Sequence, residues 1–93
     1  MIVGVAGWEL EIMGARSLKE KRSVVRSLKD RLRTRFNLSV AETAYQDLWQ
    51  RAEITVSTVA ADQRRVDEVL DRADRLVAGE FRARVIDSYR TFY

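Results

Sequence analysis

The apolar period of this chain changes from two to 3.6 and back, and does so twice within 93 residues. A period of two belongs to a strand with one buried face and a period of 3.6 to a helix with one apolar stripe. Segments of these two kinds in alternation can all bury their apolar sides only in a layered α+β arrangement. Met1 to Met13 reads as the first strand. Val3 and Val5 precede Gly7, Trp8, Leu10 and Ile12 follow it, and Glu9 and Glu11 point the other way. The apolar phase slips at Gly7, as a β-bulge or a close backbone approach would cause.

Ser17-Leu18-Lys19-Glu20 has the form of a capping box, in which the serine oxygen accepts from the third helical N–H and Glu20 reaches back to the serine amide. Leu18, Val25, Leu28, Leu32 and Phe36 then recur on one helical face, with Val24 beside them, until Asn37 offers a residue that tolerates a left-handed conformation. Leu38 to Tyr45 and Ala52 to Ala61 read as the two strands of a hairpin joined by Gln46 to Arg51, with Ile54, Val56 and Thr58 facing one way. Asp62 caps a second helix whose stripe is Val66, Val69, Leu70, Ala73, Leu76 and Val77, closed by Gly79. On its outer side Glu68 precedes Arg72, and Asp71 precedes Arg75, by the four residues that suit helical ion pairs, so that face is expected to be electrically balanced. Phe81 to Ser88, continuing toward Tyr93, supplies the last strand.

The order is therefore βαββαβ, the ferredoxin-like plan, and the chain is expected to form a single domain over residues 1–93. Right-handed crossovers place the first and third strands at the centre of a four-stranded antiparallel sheet and both helices on one face, leaving the other face open. Glu9, Glu11, Glu53, Thr55 and Ser57 are expected there.

Composition removes most familiar chemistry. The chain has no cysteine and no histidine, hence no disulfide framework, no thiolate or imidazole metal site, and none of the commonest general base. No metal, cofactor or catalytic activity is expected. A base built from Glu42 or Asp47 has no partner group in the sequence. No apolar run approaches the length of a membrane span and no signal-like segment opens the chain, so a cytoplasmic protein without membrane contact is expected. The open face lacks the aromatic platforms and signature run of an RNA-recognition motif on its central strands. Arg16 alone, without an asparagine motif on the hairpin, is a weak basis for acylphosphatase chemistry.

The strongest positive signal is charge. The first helix, Ser17 to Phe36, carries eight Lys or Arg against Glu20 and Asp30, a net +6 in a chain of net +3, so the remainder is at −3. At 100° per residue, Lys19, Arg22, Arg26, Lys29 and Arg33 form a ridge about three turns long beside the apolar stripe, a track for nucleic-acid phosphates. The bland alternative is a solvated face that maintains solubility. Arginines outnumber lysines fourteen to three, which suits bidentate phosphate recognition but is also what a GC-rich genome encodes. Leu48 and Trp49 are unusually apolar for a connection. They are expected to lid the core in a short helical turn, with Trp49 as a partner anchor the alternative. Tyr89, Phe92 and Tyr93 are expected to pack across a homo-oligomer contact along the edge strand, with a frayed tail the alternative.

Ala15-Arg16-Ser17-Leu18-Lys19-Glu20-Lys21-Arg22, the run from Ser27 to Leu32 and Arg35-Phe36-Asn37, followed by Val40-Ala41-Glu42 and Gln46-Asp47-Leu48-Trp49-Gln50-Arg51-Ala52, resemble the bacterial YlxP-like family over nearly the whole chain. The resemblance implies a ferredoxin-like fold and a domain of unknown function. Members are often encoded beside translation initiation factor 2 and ribosome-binding factor A, which implies ribosomal RNA or a ribosome-associated protein as a partner. No catalytic residue carries over. This chain departs from the family pattern at Gly7-Trp8 and at Ala44-Tyr45, where an acid and a histidine are common. The leading expectation is a non-enzymatic RNA- or ribosome-associated module. Its rival is a homo-oligomeric regulatory or assembly domain, with a small ligand at the interface as in ACT-like domains.

Overall fold

The computed structural model describes residues 1–93 as β1 (Ile2–Ile12), α1 (Leu18–Arg35), β2 (Ser39–Ala44), β3 (Arg51–Ala60), α2 (Gln63–Ala78) and β4 (Ala83–Phe92). The strands form one antiparallel sheet in the order β2-β3-β1-β4. This is the expected ferredoxin-like α+β sandwich, with β1 and β3 central. Even-numbered residues of β1 and β3 meet the helices. Ala6, Trp8, Leu10 and Ile12 pack with Ala52, Ile54 and Val56 against Val24, Val25, Leu28 and Leu32 of α1 and Val66, Leu70, Ala73 and Val77 of α2.

The phase slip at Gly7 has a different origin from a bulge in β1. The β1–β3 register runs unbroken from Ile2↔Ala60 to Glu11↔Arg51, so Val3 and Val5 lie on the open face and Gly4 and Ala6 on the helix side. Small residues are needed at Gly4 because a Cβ there would lie 2.3 Å from Val66 Cγ1. Gly7 is the close approach: a Cβ there would lie 2.3–2.5 Å from the ring of Tyr89. The bulge sits in β4 instead, where Glu9 pairs with Asp87 and Leu10 with Val85, leaving Ile86 over. It lets β4 change phase, so that Val85 and Phe92 both lie on the helix side.

Both N-caps form. Ser17 Oγ accepts from Glu20 N at 3.1 Å and Asp62 Oδ1 from Arg65 N at 2.9 Å. Glu20 reaches one residue further back than a capping box requires, accepting from Arg16 N at 2.6 Å. The C-termini differ from expectation. Tyr45 and Gly14 are the only residues with positive φ. Asn37 is therefore not left-handed, and Gly79 keeps a right-handed φ of −79°. What selects glycine at position 79 is crowding, since a Cβ would lie 3.2 Å from Arg75 O.

Two charged groups are enclosed in this core. Lys21 has no exposed surface. Its Nζ donates to the carbonyls of Tyr45 at 2.8 Å and Gln46 at 3.3 Å, and lies 2.7 Å from Glu42 Oε2. Glu80, 4 % exposed, lies between α2 and β4. It accepts from Arg31 of α1 and from the backbone, Nε and Nη2 of Arg82, the last three at 2.8–3.0 Å. The Arg82 guanidinium, helped by the Arg82 N–H and by Arg31 and opposed by burial, lowers the Glu80 carboxyl from an ordinary 4.5 to about 2.

Removing one member of a buried ion pair strands the other, so Lys21→Met should destabilise the domain by about 2–4 kcal/mol. Adding Glu42→Leu should restore part of that loss, measured by urea unfolding. The depressed Glu80 carboxyl stabilises the native state at pH values above the ordinary 4.5, and this contribution is lost as pH falls toward 2. Glu80→Gln should cost about 3 kcal/mol at neutral pH, and the gap from wild type should close toward zero at about pH 2. Equal gaps at pH 6 and pH 3 would refute that assignment.

Candidate phosphate-binding ridge and loop anchor

The ridge is formed by the side of α1 that faces β2. Lys19, Arg22, Arg26 and Arg33 are exposed and Lys29 is half-buried. Arg22, Arg26 and Lys29 line one cleft with Val25 and Glu42. None of Lys19, Arg22, Arg26 or Lys29 has a carboxylate within 4 Å. Arg33 is different: its Nη2 donates to Val40 O at 3.0 Å and its Nη1 lies 3.6 Å from Asp30. Four of the five cations thus remain uncommitted, spaced over roughly 15 Å of helix. Glu42, the acid that shares the cleft, is already engaged by Lys21.

Lys21 is the residue that the charge count misjudged. It contributes to the formal +6 of α1 but presents nothing to solvent. Its position was legible, because 18, 21, 25, 28 and 32 follow the alternating three- and four-residue spacing of a buried stripe. What its side chain does is tie the connection between β2 and β3 to the second turn of α1. That connection contains no helix. A turn at Gln46-Asp47 is closed by Leu48 N donating to Tyr45 O at 3.1 Å. Tyr45 enters it with φ 63°, a conformation costly for a bulky side chain, and its ring receives the Arg51 guanidinium at 5.1 Å.

The expected lid over the core does not form. Leu48 is 49 % and Trp49 52 % exposed, because the turn runs outward past the end of the sheet. Backbone bonds from Ile12 N to Gln50 O and Met13 N to Arg82 O, both 3.0 Å, gather two loops around the end of β1. Trp49 therefore stands on the same end of the molecule as Met13 and Phe81, both also exposed.

The C-terminal aromatics separate. Tyr89 does not line an edge. It pairs with Gly7 and lays its ring across that residue, its hydroxyl 3.2 Å from Thr55 Oγ1, which lies 2.7 Å from Thr43 Oγ1. An aromatic thus covers the centre of the open face from a neighbouring strand, where inspection of β1 and β3 alone found none. Phe92 turns to the helix side opposite Gly4, and only Tyr93 of the three is largely free, at 75 % exposure. The open-face acids are committed as well: Glu9 to Arg51, Glu11 to Arg84 at 3.2 Å and Glu53 to Thr43 at 2.5 Å.

The second helix is not balanced in the expected way. Asp67, Asp71 and Asp74 converge on Arg90 of β4 at 3.5, 2.7 and 2.5 Å, and Asp74 Oδ1 also accepts from the indole of buried Trp8 at 2.7 Å. Glu68 turns back to Arg64 and Arg65. The expected pairs Glu68–Arg72 and Asp71–Arg75 do not form, since three-dimensional partners outcompete the helical ones. No helix of the fold is long and apolar enough to cross a membrane.

Across the whole domain the fold is similar to the solution NMR structure of a de novo designed protein with ferredoxin fold, at a TM-score of 0.53, 14 % identity and coverage of 100 % of this chain and 83 % of that one. The sequence is 37 % identical over 71 residues to the uncharacterized protein YlxP of Bacillus subtilis (strain 168), covering 76 % of this chain and 77 % of that protein. Residues 3–90 match the family model described as "Protein of unknown function (DUF503)", and the chain belongs to that family.

Proposed function

We propose that this domain is a non-enzymatic, RNA- or ribosome-associated cytoplasmic module that grips phosphates with α1. The observation that carries this reading is the uncommitted state of Lys19, Arg22, Arg26 and Lys29 in a protein that pairs most of its other charges. Cations kept free of carboxylates along one helix flank raise the local potential where a polyanion would lie. Trp49 suits the role of an anchor for a base or a protein, because Lys21 fastens its loop to the helix that bears the ridge. Contacts to phosphates carry no sequence information, so binding through this flank is sequence-tolerant.

A second reading, a homo-oligomer joined along β4, draws on the unpaired outer edge of that ten-residue strand and on the exposed Ile86 at its bulge. A long edge with an outward apolar residue is a template for pairing.

With about four phosphates neutralised, log affinity for a single-stranded RNA should fall against log salt with a slope near −3. Arg22→Glu with Arg26→Glu should weaken binding by at least about tenfold and flatten that slope by about 1–1.5. The charge-matched control Arg64→Glu with Arg75→Glu should change it far less. Equal losses in both variants would reduce the ridge to a solvated face, and no binding of wild type at low salt would remove the proposal. For the second reading, sedimentation at micromolar concentration should show a dimer that Ile86→Lys dissociates. A monomeric wild type there overturns it.

A further inference from the structure

Three arginines from two helices face one cleft at the end of the molecule opposite Trp49. Arg35 in the last turn of α1 and Arg65 and Arg72 of α2 line it, with Phe36, Asn37 and Val69 among its other walls. The flank of α1 that carries Arg35 is not the one that carries the ridge: Arg31, one turn before Arg35, reaches Glu80 on the α2 side, whereas Arg33 reaches Val40 of β2.

The cleft is short of negative charge because the acids of α2 other than Glu68 are engaged away from it. Asp67, Asp71 and Asp74 hold Arg90, Glu68 meets Arg64 and Arg65, and Asp62 caps the helix. In α1, Asp30 lies beside Arg33 and Glu20 accepts from Arg16 N. Arg35 and Arg72 have no carboxylate within 4 Å, and the one acid near Arg65 stands 3.7 Å away, shared with Arg64. Like charges gathered in a concave site repel unless an anion lies between them. Guanidinium groups from separate helices present planar donor pairs that match phosphate oxygens. Beside them the ring of Phe36 and the side chain of Val69 offer an apolar wall that bare inorganic phosphate would not use.

We infer that the Arg35–Arg65–Arg72 cleft is an anion site for the phosphate of a nucleotide, either free or within an RNA strand, and that it is separate from the ridge. The three guanidiniums hold the phosphate and the Phe36 wall takes the attached nucleoside. The charge segregation of α2 creates the site: its acidic flank is spent on β4, and its basic flank is left facing the C-terminus of α1.

The test is titration of the full chain followed by NMR, reading the backbone amides of residues 35–37 and 65–72 and the arginine side-chain Nε–H signals. Inorganic phosphate, adenosine monophosphate, adenosine and a short single-stranded RNA without terminal phosphates are added at matched ionic strength. Saturable shifts confined to this cleft are expected with adenosine monophosphate, about tenfold weaker with inorganic phosphate and absent with adenosine. If the RNA shifts the cleft at lower concentration than the mononucleotide, the phosphate source is a strand; the reverse order makes it a free nucleotide. Arg35→Gln with Arg72→Gln should abolish these shifts, while Arg22→Gln with Arg26→Gln should leave them intact, so failure of the cleft and failure of the ridge are told apart. Phosphate should also raise the Tm of wild type over chloride and have no such effect on the Arg35/Arg72 variant. Shifts that never saturate, or that persist in that variant, overturn the inference.

Discussion

An ammonium group with no exposed surface holds the most strained part of this chain in place. Moving a charge out of water costs several kcal/mol unless it is paired and hydrogen-bonded, and Lys21 has hydrogen bonds to two carbonyls and an ion pair with the Glu42 carboxylate. The carbonyls belong to Tyr45 and Gln46, where the backbone leaves β2 through a left-handed tyrosine. A left-handed bulky residue persists only when its surroundings over-determine it. Here the buried lysine, the stacked Arg51 and the closing bond of the turn do so together. The outward course of the following residues, and with it the exposure of Trp49, depends on these contacts acting together.

A comparable economy governs the sheet. Gly4 and Gly7 lie on opposite faces of β1, and each makes room for a neighbour: Val66 of α2 above Gly4, Tyr89 of β4 across Gly7. The first contact draws α2 close to the sheet. The second carries a tyrosine from an edge strand to the middle of the open face, where its hydroxyl joins those of Thr55 and Thr43. A central strand glycine, usually a weakness because it has no side chain to pack, here gains cover from the strand beside it. The bulge at Ile86 belongs to the same arrangement, since it resets the phase of β4 so that Tyr89 falls on the open side and Arg90 on the helix side.

Much of this was legible in the residues. Alternation in β1 and β3, two capping residues and two apolar stripes determine the element order, and handed crossovers determine the strand order. The ridge positions followed from helical geometry alone. What was not legible depends on partners distant in sequence. Asp71 has an arginine four residues on, yet binds Arg90, nineteen residues away, because β4 lies beside α2 and only the assembled fold shows it. Lys21 fell on the apolar stripe by spacing, but a charge count treats each lysine as solvated. Leu48 and Trp49 suggested a lid by their hydrophobicity, and the turn geometry that points them outward rests on the φ of Tyr45, which no neighbouring residue type announces.

The two ends of the ledger of charge explain why the net value of +3 says little about how this surface presents itself. Eight cationic residues on α1 are not equivalent: Lys21 is enclosed, Arg31 is spent on Glu80 and Arg33 is anchored to β2. Those that remain fall on two flanks separated by the crest of the helix, Lys19, Arg22, Arg26 and Lys29 toward β2 and Arg35 toward α2. Asp67, Asp71 and Asp74 occupy the flank of α2 turned away from Arg65 and Arg72, where they pair with Arg90. The groove between the helices is left with Arg35, Arg65 and Arg72, and Glu68 is the one acid paired with any of them. The placement of acids and arginines around α2, rather than the net charge, accordingly sets the potential at the cleft, while the partly exposed Arg90 clasp ties the acidic flank to β4.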